Sequence, residues 1–405
     1  MYKPRFSFKN IILSTYNITS TSTNSFSNTY APSQLKLEKV LVVSKLSIYE
    51  FERSRHNNLS DVQFEKVLRN RGSDFDKMLY HYQLHKCFES AIVNNFTKAG
   101  IDVKVVNRIN YTDDLIEWAD VIIPTGGDGT FLLAASRVRN NKKPVIGFNS
   151  DPNRSEGHLC LPKKYSYNIL EALERLKAGK FEWLLRSRIR TTMYGQKGEF
   201  RPTHLHLSDR SYVFNSKMIQ FIDPEGKSGQ ILPYLALNEV FMGECLSARV
   251  SHLEMWLNNS EQHTNMKCSG LCVTTGTGST SWHLSINRLP VQSVAELLRL
   301  IDIEATEEKD SLATVLADMY NKNLVFNPDD NRLGYTIRDL ISAGVWPQPK
   351  GIKSRGFAST IKVKSKCLDA CLVVDGGVAV PFNDGSTVIL EIKPEDCLRT
   401  VIFAD

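Results

Sequence analysis

The chain has 405 residues, 42% hydrophobic and 23% charged, with a net charge of +6. That length carries two or three domains. No apolar run reaches the roughly 18–20 residues needed to cross a bilayer. Lys and Arg are scattered rather than clustered among aromatics, which argues against nucleic-acid binding. Residues 1–37 hold Lys3, Arg5, Lys9 and Lys36, no Asp or Glu, and many Ser and Thr. That acid-poor, hydroxyl-rich composition is the signature of an organelle transit peptide; a disordered tail is the alternative.

Order is expected from Glu38. Residues 39–45 (KVLVVSK) read as a buried strand, and residues 74–99 carry apolar side chains near helical spacing, with Gly100 as a C-terminal stop. Residues 101–106 give a strand and 112–119 a short helix capped by Thr112. Residues 121–123 form a strand, 130–139 a helix, 144–148 a strand, and 166–179 a helix with a serine cap and a glycine stop. Strand–helix alternation of this kind implies a parallel sheet covered by helices on both faces, with ligands beyond the carboxyl ends of its strands.

After Gly179 the segments become short, alternating and turn-bounded, the pattern of antiparallel β structure. Residues 290–345 read as a helical insertion that includes a solvated acidic run at 304–310. The expected division is therefore a tail (1–37), an α/β domain (38–180) and a β-rich domain (181–405), the last residues returning to the first domain. Cys268/Cys272 and Cys367/Cys371 are two C-x-x-x-C pairs that together offer four thiolates to zinc. Their apolar, strand-like surroundings favour buried free thiols instead.

Four motifs carry the chemistry. TGGDGT (125–130) sits where a strand gives way to a helix. Gly126, Gly127 and Gly129 admit backbone angles closed to other residues, and their N–H groups with the helix N-terminus make a seat for phosphate. A carboxylate, Asp128, is out of place there unless it holds Mg²⁺ or takes a proton from an attacking hydroxyl; a plain βα turn is the alternative. Asn238-Glu239 interrupt an apolar strand. Residues 274–282 (TTGTGSTSW) combine open backbone, hydroxyls and an aromatic face, a set suited to ribose, phosphate or a base edge. In the loop after residue 148, Asn149, Arg154 and His158 lie near the sheet edge. Arg186, Arg188 and Arg190 alternate and so share one strand face, lining a nucleotide site or facing water.

GGDGT, then NE, then TTGTGSTSW, then VDGG (374–377), in this order and spacing, resembles the NAD kinases, and residues 150–162 and 269–279 look like their animal mitochondrial branch. The resemblance implies phosphorylation of the adenosine ribose 2′-hydroxyl of NAD⁺, with NADH as a further acceptor, by ATP with Mg²⁺. On that mapping Asp128 is the base. Gly126, Gly127, Gly129, Thr130 and Asn149 frame phosphate, and Asn238, Glu239, Thr277, Thr280, Ser281 and Trp282 contact the dinucleotide. No side chain is singled out as a direct metal ligand; Mg²⁺ arrives on the nucleotide phosphates. A homodimer and a place in the mitochondrial matrix are also implied. Two departures stand out: Ser269-Gly270 where many members have Asp-Gly, and Gly157-His-Leu-Cys-Leu-Pro162 where G-x-L-G-F-L is usual. A lipid kinase of the same fold and a non-catalytic dinucleotide sensor are the rival readings.

Overall fold

The computed structural model describes residues 34–195, 200–205, 219–223, 226–300, 308–341 and 353–403. The expectations for the tail and for the acidic run at 304–310 fall largely outside these residues. Strands β1 (Lys39–Ser44), β2 (Asp102–Val106), β3 (Val121–Gly126) and β4 (Phe148–Asn149) form a sheet in the order β2-β1-β3-β4. Every pairing in it is parallel. Its helices are α1 (Ile48–Arg55), α2 (Asp61–Asn70), α3 (Phe75–Lys98), α4 (Asp113–Trp118), α5 (Asp128–Ser136), α6 (Lys164–Tyr167) and α7 (Ile169–Lys177). Alternate residues of β1 feed two cores. Val40 and Val42 pack with Ile92 and Phe96 of α3 and Leu173 of α7. Leu41 and Val43 pack with Ile116 of α4 and Phe131 of α5. The period of two thus buries both faces of the sheet.

Local details depart from the sequence reading. Asp74 caps α3 by accepting from Lys77 N, and Gly100 follows the helix at φ +81°. Thr112 holds the N-cap position of α4 without a side-chain cap bond. The helix expected over 166–179 is two helices, and the side chain of Asn168, not Ser166, caps the second by accepting from Glu171 N at 3.2 Å. β4 has two residues; ahead of it, Val145 N donates to Arg399 O, so that amide serves the C-terminal strand. Helices α1 and α2 were not anticipated. Each starts at a reciprocal capping box, Ser47 with Glu50 and Ser60 with Gln63.

Beyond Gly179 two seven-stranded sheets form a sandwich. One runs Arg355–Ala358, Leu333–Arg338, Gly270–Thr274, Glu239–Glu244, Ala370–Val374, Val378–Pro381, Thr203–His204, with antiparallel pairing throughout. Val240, Met242 and Leu271 of that sheet meet Leu253, Val363 and Leu390 of the other in one continuous core. The helical stretch ends at Lys322 rather than near 345, because Leu333–Arg338 is a strand of the first sheet. The helices Val291–Leu300 and Glu308–Lys322 pack on each other through Val294, Leu298, Ala313 and Ala317.

The three alternating arginines do not share a strand face. Arg186 ends the strand Glu182–Arg186, Arg190 lies within Ile189–Tyr194, and Arg188 belongs to the link between them. Arg188 is fully buried; its Nε donates to Asp396 O and its Nη1 to Val138 O and Ala135 O. Arg190 pairs with Asp396 at 2.6 Å. These two side chains pin the joint between the halves. Strand Leu398–Ile402 returns to pair with Glu182–Arg186, and Val401 and Phe403 enter the first domain's core.

Candidate active site

β3 is apolar and wholly buried up to Gly126, and α5 begins two residues later with Asp128 in its first turn. The glycines are required here by crowding, not by backbone angle. None of Gly126, Gly127 and Gly129 has a positive φ. A Cβ on Gly126 would lie 2.3 Å from Thr130 Oγ1, and one on Gly127 2.6 Å from Ser155 Oγ. Gly129 meets nothing within 4 Å and opens onto a cavity of about 540 Å³. Lys45, Arg108, Asp128, Thr130, Ser150 and Arg154 help line that cavity. Cations, free amides of a helix start and two carboxylates, Asp128 and Asp151, thus meet at the carboxyl ends of parallel strands, where phosphate chemistry is expected.

Asp128 is held in place by backbone. Its Oδ1 accepts from Leu159 N at 2.9 Å and its Oδ2 from His158 N at 3.2 Å. The loop that departs from the usual G-x-L-G-F-L run is therefore the one that orients this carboxylate. Gly157 in it adopts φ +69°, and a Cβ there would strike Asn149 Nδ2 at 2.5 Å. Asn149 is itself engaged: Nδ2 donates to Ser155 O at 3.0 Å and Oδ1 accepts from Asp151 N at 3.1 Å. It shapes the cavity wall.

The second half supplies the other side. The cavity shares Arg108, Gly129 and Leu133 with a neighbouring pocket of about 210 Å³ that reaches Tyr234, Leu235, Asp375 and Gly376. Asn238 and Glu239 open the strand Glu239–Glu244, and both are buried. Asn238 Oδ1 and Glu239 Oε2 are buried oxygens with no hydrogen-bond partner among the described residues. Burial, helped by the charge of Asp375, pushes the Glu239 carboxyl up to about 8, so at neutral pH it is largely protonated and can donate. Thr277 and Thr280 lie in the turn before Trp282, with Thr280 Oγ1 donating to Thr277 O at 3.2 Å; Ser281 Oγ accepts from Asn238 Nδ2 at 3.5 Å. The Trp282 ring rests 4.6 Å from Phe241.

A family model described as the ATP-NAD kinase N-terminal domain matches residues 64–181. "NAD kinase 2, mitochondrial" of Rattus norvegicus is 38% identical over 90% of this chain and 87% of its own length. The protein of the same name from Xenopus tropicalis is 39% identical over 91% of each. That of Homo sapiens is 37% identical over 90% of this chain and 84% of its own length. The chain belongs to the NAD kinase family.

In this NAD kinase family member two further residues, neither given a role by the sequence, join the site. Asp375, of the VDGG motif, is half-buried and its carboxylate accepts from the amides of Leu237, Asn238 and Glu239 at 2.7, 2.8 and 3.0 Å. Burial lifts it to about 6 while those three donors and Arg188 pull it back. It sets the backbone from which Asn238 and Glu239 project. Only the four-motif pattern hinted at it. Arg186, left undecided above, donates from Nη1 to Thr277 Oγ1 at 3.3 Å, and its buried Nε has no partner among the described residues. Burial lowers its guanidinium to about 10, against the opposing charge of Asp128, so it stays cationic between the two motifs. The cysteines do not gather: among the described residues no group of three or more His, Cys, Asp or Glu is arranged to hold a metal, and Cys268, Cys272 and Cys367 are buried free thiols.

Proposed function

We propose that this NAD kinase transfers the γ-phosphoryl group of ATP to the adenosine ribose 2′-hydroxyl of NAD⁺, giving NADP⁺, with Asp128 as the base. ATP-dependent NAD kinase activity follows from the family; the assignment of roles is our reading. The observation that carries it is the Asp128 carboxylate, fixed by two backbone amides at the edge of the cation-lined cavity. A ribose hydroxyl is a weak nucleophile, and phosphoryl transfer depends on positioning and charge neutralisation. A carboxylate that cannot swing away takes the hydroxyl proton as the new P–O bond forms. Lys45, Arg154 and the α5 amides neutralise phosphate oxygens. Arg186 steadies the charge on the phosphoryl as it moves.

The acceptor oxygens in the cavity, Asp128, Asp151 and Ser150, are hard ligands that suit Mg²⁺ arriving on the nucleotide. Bound there, Mg²⁺ supplies charge neutralisation at the phosphates. The unpartnered oxygens of Asn238 and Glu239, with Thr277, Thr280, Ser281 and Trp282, suit the hydroxyls, amide groups and base of a dinucleotide. Residues 38–180 thus handle phosphate and 181–405 hold the dinucleotide. We extend the reading to NADH as an acceptor, to a homodimer, and to the mitochondrial matrix reached through the N-terminal segment; the relatives named above support the organelle.

Incubating purified protein with ATP–Mg²⁺ and NAD⁺, NADH or a lipid alcohol tests the reading. NADP⁺ formation supports it. Phosphorylated lipid, or dinucleotide binding without turnover, replaces it with one of the rivals.

A further inference from the structure

Helix α3 contributes one polar side chain to the first domain's interior that the chemistry above does not use. His85 is 2% exposed and spans the ends of two strands. Its Nε2 lies 2.9 Å from Ser44 Oγ, at the end of β1, and its Nδ1 lies 3.0 Å from Ser150 Oγ, just past β4. Both serines line the phosphate cavity. Ser44 also donates its hydroxyl proton to Glu89 Oε2. Lys86 Nζ lies 3.0 Å from both oxygens of that carboxylate.

The protons can be counted from that end. Ser44 has one hydroxyl proton and gives it to Glu89, so Ser44 Oγ is an acceptor toward His85. Nε2 therefore carries the imidazole hydrogen. The ring is buried with each nitrogen on a serine hydroxyl, and the Glu89 carboxylate is 3.9 Å from Nε2, a setting for an imidazole with a single N–H. Nδ1 is then bare and accepts the Ser150 proton. Every hydrogen in the chain points toward Glu89. What Ser150 turns to the cavity is lone pairs.

An oxygen acceptor repels phosphate and attracts donors, and the strongest donors that accompany a nucleoside triphosphate are the waters on its divalent cation. Ser150 is followed by Asp151 and faces the same cavity as Asp128, while Lys45 and Arg154 supply the donors. We propose that His85 is a positioning residue: by fixing the Ser150 hydroxyl as an acceptor, it gives the cavity a side that seats the hydrated Mg²⁺ of the bound nucleotide. This rests on the phosphate assignment made above, and touches the reaction only through Ser150.

The test compares the dissociation constant for ATP in EDTA with that in saturating Mg²⁺, by titration calorimetry; the ratio is the gain due to the metal. His85→Leu removes both ring nitrogens. It should cut that gain about tenfold, the size of one lost hydrogen bond to a charged group, and leave the EDTA value within about twofold. His85→Gln offers an amide donor and a carbonyl acceptor and should keep the gain within about threefold. Ser150→Ala should reproduce His85→Leu, and the double variant should lose no more than either alone. An unchanged gain in Ser150→Ala overturns the proposal, and so do parallel losses with and without Mg²⁺ in His85→Leu, which mark a merely structural role. If His85→Leu does not fold, Ser150→Ala and His85→Gln still decide. These are binding measurements, so a wild-type protein that makes no NADP⁺ would sink the functional reading while leaving them readable.

Discussion

Each half of the molecule fastens an aspartate to backbone amides, and the two are used in opposite ways. In the α/β half, Asp128 takes two N–H bonds at the rim of a cavity and keeps a face toward it. In the sandwich half, Asp375 takes three and is likewise half-buried, beside the smaller pocket. Amide donors serve both by stopping rotation. The number of donors, two against three, makes the difference. A carboxylate with spare lone pairs at a cavity does chemistry, and one whose lone pairs are spent on its own chain does architecture.

The sharpest way to break that contrast is to exchange the effects. Asp128→Asn should lower kcat by about 10²–10⁴, the usual weight of a positioned base, with the NAD⁺ dissociation constant unchanged within about threefold. Steady-state kinetics and calorimetry on the same sample check it, and turnover near wild type removes Asp128 from the role. Asp375→Ala should act on folding, costing about 3–5 kcal/mol in urea denaturation because three buried amides lose their acceptor at once. A stable Asp375→Ala protein whose only defect is in kcat would erase the contrast.

Glu239 sharpens the comparison through pH. Its pKa is about 8 when folded, against an ordinary 4.5, so the folded chain holds a proton that the unfolded chain releases. Wild-type stability from this group is complete below about 4.5 and drains away as pH rises to about 8, by up to a few kcal/mol. Glu239→Gln removes that slope. Its denaturation free energy should match wild type near pH 5 and exceed it near pH 9; equal behaviour at both ends would place Glu239 in water. The smallest effect belongs far from either aspartate: Ser60→Ala should cost about 1 kcal/mol through the α2 cap and leave kcat untouched.

How far the chain could be read follows from the range of each signal. β1, α3 and the stops at Gly100 and Gly179 are local patterns of apolar period and backbone freedom, and they are where the sequence places them. The capping boxes of α1 and α2 are equally local, and in α2 Phe64, Val67 and Leu68 follow at helical spacing, so that helix is legible, whereas α1 has no such period. The alternating arginines misled because a turn at Ser187 and Arg188 imitates a strand's spacing. GGDGT and Asn238-Glu239 announced themselves by polar residues in apolar strands. Asp375 and His85 did not, since their meaning lies in partners 136 and 41 positions away. Spacing can mark a residue as odd; only the folded chain shows which amide or hydroxyl it answers.

The returning strand Leu398–Ile402 has a consequence for how the protein is made. Val401 and Phe403 finish the interior of a domain whose other parts are encoded before residue 182, with the whole sandwich in between. As the polypeptide leaves the ribosome, the α/β half must wait, incompletely closed, until the sandwich half has emerged. Assembly is thereby ordered so that neither half matures without the other.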